Sequence, residues 1–311
     1  MTNPATPRRS LVTGGAGFIG SHLVEALIRL GGEVVVVDNL ATGRRENLPS
    51  SAQLIVGDVG NNDVIDCAIA GCDCVFHLAA VSSVQDSLDR PMSVHEANLT
   101  ASLRVLEAAV RHGAKRFVFS SSAAVYGDTG ASAAREAMTP APLSHYAVQK
   151  LASENYCKIY HSLHGLETVA LRYFNIFGPR QRADSPYSGV MARFVDALKN
   201  GRDVTIYGTG DQMRDFCHVD NVVAANIGAA TQSSRIVAGR VFNIGTGASV
   251  SIRSLAEKLR NILGSSGGII LSDPRRGEIA ISKSDISEAR NRLNYEPISF
   301  EVGLTRFLRA N

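Results

Sequence analysis

No apolar run in these 311 residues reaches the ~18 needed to cross a bilayer. The polar opening MTNPATPRRS carries no apolar signal region, so neither a membrane span nor a secretory leader is expected. Cysteine is scarce: Cys67, Cys72, Cys74, Cys157 and Cys217 are odd in number and scattered, which argues against a disulfide framework. Cys72 and Cys74 flank Asp73 without further Cys or His at matched spacing, so no metal site is read from them. Reduced thiols in a cytoplasmic protein are the expectation. No Lys/Arg run stands out and the net charge is only +3. Nucleic acid is therefore not an expected partner, while the mild basic balance suits an anionic small substrate. Repeats, low-complexity segments and linkers are absent as well. What remains, 45% hydrophobic and 20% charged, is ordinary globular composition. The length allows one large domain or two modest ones with a sizeable core.

The organising stretch is residues 11–20, LVTGGAGFIG. It leaves a short apolar strand, passes Gly14, Gly17 and Gly20, and runs into SHLVEALIRLGG, where Leu23, Leu27 and Leu30 recur at helical spacing. Such a turn presents free backbone N–H groups at a helix N-terminus, a site that favours a pyrophosphate. The glycines give a tight turn, close approach of backbone to phosphate and close helix–strand packing. Phe18 and Ile19 lie in the same turn. The next strand, Glu33–Asp38, is a buried run that ends in an acid eighteen residues after Gly20, about where a carboxylate meets the adenosine ribose. Asp38, with Asn39 beside it, thus favours NAD over NADP, whose 2′-phosphate it would repel; Arg44 and Arg45 stand nearby.

Strands and helices then alternate. Gln53–Val56 is a short strand followed by Asp58 and Val59. Asp58 either accepts from the adenine amine or caps the helix at 64–70. Residues 74–79, CVFHLA, form a strand, and the small residues of Leu78-Ala79-Ala80 let the backbone approach a cofactor. Residues 92–112 read as one long helix closed by Gly113. On it, Asn98 is assigned to the cofactor side, with a plain interhelical hydrogen bond as the alternative. After the strand at 116–120 comes Ser120-Ser121-Ser122, and then a helix from near Ser144 to before Gly165. Tyr146 and Lys150 on that helix are four apart, hence on one face. This alternation predicts an α/β fold with a doubly wound parallel sheet. Gly14, Asp38, Asp58, Ala79 and Ser122 all fall at strand carboxyl ends, so they should converge on one crevice.

Taken in order, TGGAGFIG, HLAA, SSSAAVYG, YAVQK and RYFNIFGP resemble the successive signatures of the extended short-chain dehydrogenase/reductase family, in its nucleotide-sugar 4-epimerase branch. The resemblance covers nearly the whole chain. It implies a Rossmann domain over 1–176 and about 216–248, and a smaller C-terminal nucleotide-sugar lobe over about 177–215 and 249–311. It also implies a homodimer built on the helices at 92–112 and 144–163, with NAD as resident cofactor and a UDP-sugar as substrate. Tyr146 is then general acid and base, its phenol lowered by Lys150 and the nicotinamide, and Ser122 orients the sugar hydroxyl. Ser83, Asn175, Tyr207, Arg214 and Arg275 fall to the substrate, Arg214 and Arg275 as clamps on its diphosphate.

Two positions discriminate within the family. Related 4,6-dehydratases carry an Asp-Glu pair after the hydroxyl residue, and related decarboxylases an acid; here Ala123 and Ala124 occupy those places. Ser282, four residues after the acid of the Arg-x-Gly-acid signature, matches a gate that is tyrosine in enzymes restricted to plain hexoses. A small residue there leaves room for a 2-acetamido group. Two other readings of the same residues are a net 4-keto-sugar reductase, which would consume external NAD(P)H, and a nucleotide sensor without catalysis.

Overall fold

Apolar stretches of four to seven residues supply the strands of the main sheet, and most stretches between them form helices. The computed structural model describes residues 6–182, 189–274 and 279–310. The first half contains β1 (Arg9–Thr13), α1 (Phe18–Arg29), β2 (Glu33–Asp38), β3 (Gln53–Val56), α2 (Asn62–Ile69) and β4 (Cys74–His77). There follow α3 (Val84–Asp89), α4 (Pro91–His95), a π-helical turn (Glu96–Thr100), α5 (Ala101–Arg111), β5 (Arg116–Ser122), α6 (His145–His164) and β6 (Glu167–Tyr173). The second half contains β7 (Ile176–Phe177), α7 (Val190–Lys199), β8 (Val204–Tyr207), β9 (Met213–Arg214), β10 (Cys217–His218), α8 (Val219–Thr231), α9 (Ser234–Val237) and β11 (Arg240–Ile244). Then come β12 (Val250–Ser251), α10 (Ile252–Leu263), β13 (Ile269–Ser272), β14 (Ile281–Ser282), α11 (Ser287–Leu293) and α12 (Phe300–Ala310).

Seven strands form one sheet in the order β11-β6-β5-β4-β1-β2-β3, every pairing parallel. The order reverses between β1 and β4, which places a crevice beyond the carboxyl ends of those two strands. One face is covered by α1 and α8 through Leu23, Leu27, Val222 and Ala225. The other is covered by α2, α5 and α6 through Ile65, Val105, Leu106 and Cys157. A separate apolar cluster joins α7, α10 and α12 around Phe177, Phe194, Leu255 and Phe300. Short sheets β12-β9-β14 and β8-β13 flank it. Among the described residues no helix is long and apolar enough to cross a membrane.

The single helix expected over 92–112 is in fact α4, the π turn and α5 in succession. Its end is as expected, with Gly113 in the left-handed region at φ 71°. The interruption has a cause at Asn98, whose side chain accepts from Val81 N at 2.8 Å and donates to Val81 O at 3.0 Å. Turning that amide toward the loop after β4 widens the helix by a residue, as π turns do where a side chain must be re-aimed.

The helix α6 begins at Ser144, whose Oγ accepts from Ala147 N at 3.2 Å, and stops at Gly165 with φ 69°. It is fastened to the sheet by buried charge. Glu154 accepts from Arg172 of β6 at 2.9 and 2.6 Å and from the Ser121 hydroxyl of β5. The side chains of Arg172 and Glu154 are 3% and 0% exposed. Removing one member of such a pair strands the other charge away from water. Glu154→Gln is expected to lower unfolding free energy by about 3 kcal/mol, measured by denaturant titration; a change under roughly 1 kcal/mol would mean that the pair does not hold the helix.

Candidate active site in the cleft beyond the sheet

The glycine turn shows why glycine is required. Gly14 has φ 68°, and a Cβ there would lie 2.8 Å from Ala79 N. A Cβ on Gly20 would overlap the Gly14 carbonyl, and one on Gly15 would lie 2.7 Å from Val36 Cγ1. Gly17, the N-cap of α1, differs: its Cβ would meet only Gly14 O, at 3.2 Å. Its freedom faces the cleft, as expected where backbone must approach a phosphate.

The cleft is open and encloses about 1630 Å³. Its walls include Gly14, Gly17, Phe18, Ile19, Gly20, Asp38, Asn39, Asp58, Val59, Leu78, Ala79 and Ala80 on the turn side. Ser83, Ser122, Tyr146, Lys150, Asn175, Arg214 and Ser282 line the rest. The Asp38 carboxylate accepts from Ala16 N at 3.0 Å and Leu40 N at 2.9 Å. A carboxylate has about four lone-pair sites, so acceptor capacity remains for a diol. Asp58 does not cap α2; Asn61 does, through Asp63 N and Val64 N. The Asp58 side chain instead accepts from Gly60 N at 2.6 Å.

Four residues of the sequence reading need correction or comment. Asn98 does not reach the cleft: its side-chain amide is engaged by Val81 and by Gln149 Oε1 at 3.0 Å, so it is the interhelical alternative that holds. Tyr207 ends β8 and is not among the cleft-lining residues. Arg275 and Glu278 lie outside the described residues.

Ser122, Tyr146 and Lys150 meet where the carboxyl end of β5 faces the first turns of α6. Ser122 stands close enough to the Tyr146 phenol to pull it down, and its Oγ accepts from Ala124 N at 3.2 Å. Lys150 Nζ donates to Ser120 O at 2.8 Å and lies 5.8 Å from the centre of the Tyr146 ring. Burial pushes the Tyr146 phenol up, against the opposing pull of Ser122. Burial likewise lowers Lys150 to about 8, with Cys157 and Glu154 raising it. The lowered phenol expected from Lys150 is therefore not a property of the protein alone, where loss of water outweighs the neighbouring charge.

Across the cleft, Ser282 and Asn175 come together. Asn175 Nδ2 donates to Asp215 O at 3.3 Å and lies 3.5 Å from Ser282 Oγ. Ser282 is paired in register with Arg214. Asp215, fully buried, fixes this wall by accepting from Thr246 N at 2.8 Å, Gly247 N at 3.1 Å and the Ser284 hydroxyl. Sequence reading missed Asp215; its only signal was an acid beside Arg214, and a surface acid looks the same on paper. It also missed Arg180, which lines the cleft at φ 67° with its guanidinium on Ser21 and Glu25. Among the described residues no cluster of His, Cys, Asp and Glu could hold a metal ion.

Residues 10–245 match the model of the NAD dependent epimerase/dehydratase family. The chain belongs to that family, and its cofactor is NAD. UDP-glucose 4-epimerase from Thermotoga maritima, solved with UDP-glucose, superposes with a TM-score of 0.93 at 36% identity, covering 97% of this chain and 98% of that one. UDP-N-acetylglucosamine 4-epimerase from Methanobrevibacter ruminantium, in complex with UDP-N-acetylmuramic acid, gives 0.92 at 37% identity and covers 97% of both chains. A UDP-N-acetyl-alpha-D-glucosaminuronate decarboxylase from Bacillus cytotoxicus is 33% identical over 96% of this chain and 95% of its own length. The family thus includes relatives named for different chemistry.

Proposed function

We propose that this protein inverts carbon 4 of a UDP-sugar. The observation that carries the reading is the meeting of Ser122, Tyr146 and Lys150 beside the glycine turn, followed at once by two alanines, Ala123 and Ala124, in the cleft wall. An alanine moves no proton, so the dehydration and decarboxylation expected of an acid at those places have no agent here.

Gly14, Gly17 and Gly20 would hold the pyrophosphate of NAD, Asp38 its adenosine ribose, and Asp58 and Val59 the adenine side. NAD held there would supply a reversible hydride acceptor. Tyr146 removes the proton from the carbon 4 hydroxyl and later gives it back, while Ser122 orients that hydroxyl. Lys150, charged below about pH 8, favours the anionic form of the phenol whenever it arises. Asn175 and Arg214, with Arg275, hold the nucleotide half, so that the hexose can turn within the cleft and present its other face.

Ser282 supports the acetamido sugars UDP-GlcNAc and UDP-GalNAc as substrates beside UDP-Glc and UDP-Gal. Its side chain is small, and its backbone carbonyl is held by Asp215 N at 2.9 Å. A wider pocket admits both kinds without excluding the smaller. The homodimer expected from the helices is supported by apolar side chains left in solvent on α4 and α6: Met92 71%, Val148 50%, Ile159 45% and Leu163 74% exposed. Covering such a face is the ordinary fate of a clustered apolar surface.

Tyr146→Phe is expected to keep NAD and lose turnover by ~10²–10⁴-fold, the usual worth of general acid–base help; steady-state kinetics with near-normal rates would remove Tyr146 from the mechanism. Ser282→Tyr should lose activity on acetamido sugars and keep it on UDP-Gal, read from paired kinetics. Equal loss on both would place the selectivity elsewhere. Light scattering at micromolar concentration should report twice the 33.1 kDa chain mass, and a monomer would contradict the dimer.

A further inference from the structure

His77 takes no part in the chemistry above. It ends β4 at 1% exposure, its ring 5.9 and 6.0 Å from those of Phe117 and Phe119. Burial lowers the imidazole to about 3, with Lys150 the charged group acting in the same sense. The ring is therefore neutral, with one nitrogen a donor and the other an acceptor. Its neighbours decide which. Ser102 Oγ donates to the Asn98 carbonyl, and that carbonyl has no proton to offer in return. The Ser102 oxygen is then left to accept, so His77 Nε2, 2.9 Å away, carries the proton. Nδ1 becomes the acceptor and takes the Thr13 hydroxyl proton at 2.7 Å. Thr13 Oγ1 in turn accepts from Ala79 N at 3.2 Å. In the opposite tautomer Ser102 would have to abandon Asn98, and Thr13 would face two donors with its own proton unplaced.

The bonds thus run one way: Ala79 N–H to Thr13, Thr13 to His77, His77 to Ser102, and Ser102 to the Asn98 carbonyl. One end meets the glycine turn at Gly14, and the other reaches α6 through the Asn98 side chain. The Ala79 amide packs on Gly14, where a Cβ would stand 2.8 Å away. Asn98 holds Val81, which lines the cleft, and Gln149 of α6 at 3.0 Å. Gln149 directly precedes Lys150. His77 and Ser102 are absent from the cleft wall, so any effect they have on the site passes through these neighbours. The strands β1 and β4 are already in register, so what the chain adds is the spacing between the glycine turn and α6.

We infer that His77, held as the Nε2–H tautomer, is a positioning residue that sets the distance between the cofactor turn and the Tyr146 helix, and through it both NAD affinity and turnover. This rests on NAD occupying the cleft, which a titration of the wild-type protein tests separately. Long-range proton–nitrogen spectra of the wild type at neutral pH, with His77 assigned by its loss in His77→Gln, should show a protonated Nε2 and a bare Nδ1. An Nδ1–H tautomer overturns the inference. By calorimetry and kinetics, His77→Phe, which keeps the ring stacking and removes both hydrogen bonds, should weaken NAD binding and slow turnover each by about ten-fold. His77→Gln, which keeps a donor toward Ser102, should recover part of both. Ser102→Ala should weaken NAD binding in the same direction without touching the cleft wall. If His77→Phe and Ser102→Ala lower the melting temperature but leave NAD affinity and kcat within roughly two-fold, His77 is a core residue only and the inference fails.

Discussion

The carboxylate of Glu154 is shut away from solvent against the guanidinium of Arg172, and this pair fastens α6 to the sheet. Taking two charges out of water is costly unless their geometry and hydrogen bonding are nearly complete. Here Glu154 is met by two guanidinium contacts and by Ser121, while Arg172 also stacks on Tyr126 with its Cζ 4.6 Å from the ring centre. The pair ties one helix to two adjacent strands at once. Ser121 precedes Ser122 on β5, and Glu154 stands one turn after Lys150 on α6. A shift of α6 along its axis would strain the ion pair as it moved Tyr146 relative to Ser122. The site inherits its geometry from an interaction that does no chemistry.

The same burial governs the protonation of the site. Desolvation disfavours charge of either sign, so it raises the phenol of Tyr146 and lowers the ammonium of Lys150. The two groups are pushed toward their neutral forms together. A site of this kind holds its proton until a further positive charge arrives. Lys150 is kept charged in part by Glu154, so the pair that docks the helix also supports the electrostatics of the cleft.

Most of the sheet and of the glycine turn was legible in the chain. The strands Glu33–Asp38 and Gln53–Val56 have the bounds read from the sequence, the first because a parallel strand buried on both faces is written as an unbroken run. Ser144 and Gly165 mark the ends of α6 because caps are local. The π turn was not legible. Its cause is a contact between Asn98 and Val81 across 17 residues, which no helical periodicity carries. Asp215 and His77 escaped for the same reason: their partners are far along the chain, and burial, not residue type, makes them matter. Tyr207 ends β8 and is not among the cleft-lining residues, which its position in the sequence does not reveal. Arg180 stands in a left-handed backbone that its side chain type gives no hint of.

The central claim is that one hydrogen leaves carbon 4 and returns to the opposite face of the same carbon. It is tested most directly by incubating the purified protein, without added NAD, with a UDP-hexose or UDP-N-acetylhexosamine carrying deuterium at carbon 4. The account predicts a product inverted at carbon 4 that retains the deuterium there. Inversion with the label lost to water, or no inversion unless external NAD(P)H is supplied in stoichiometric amount, would contradict it.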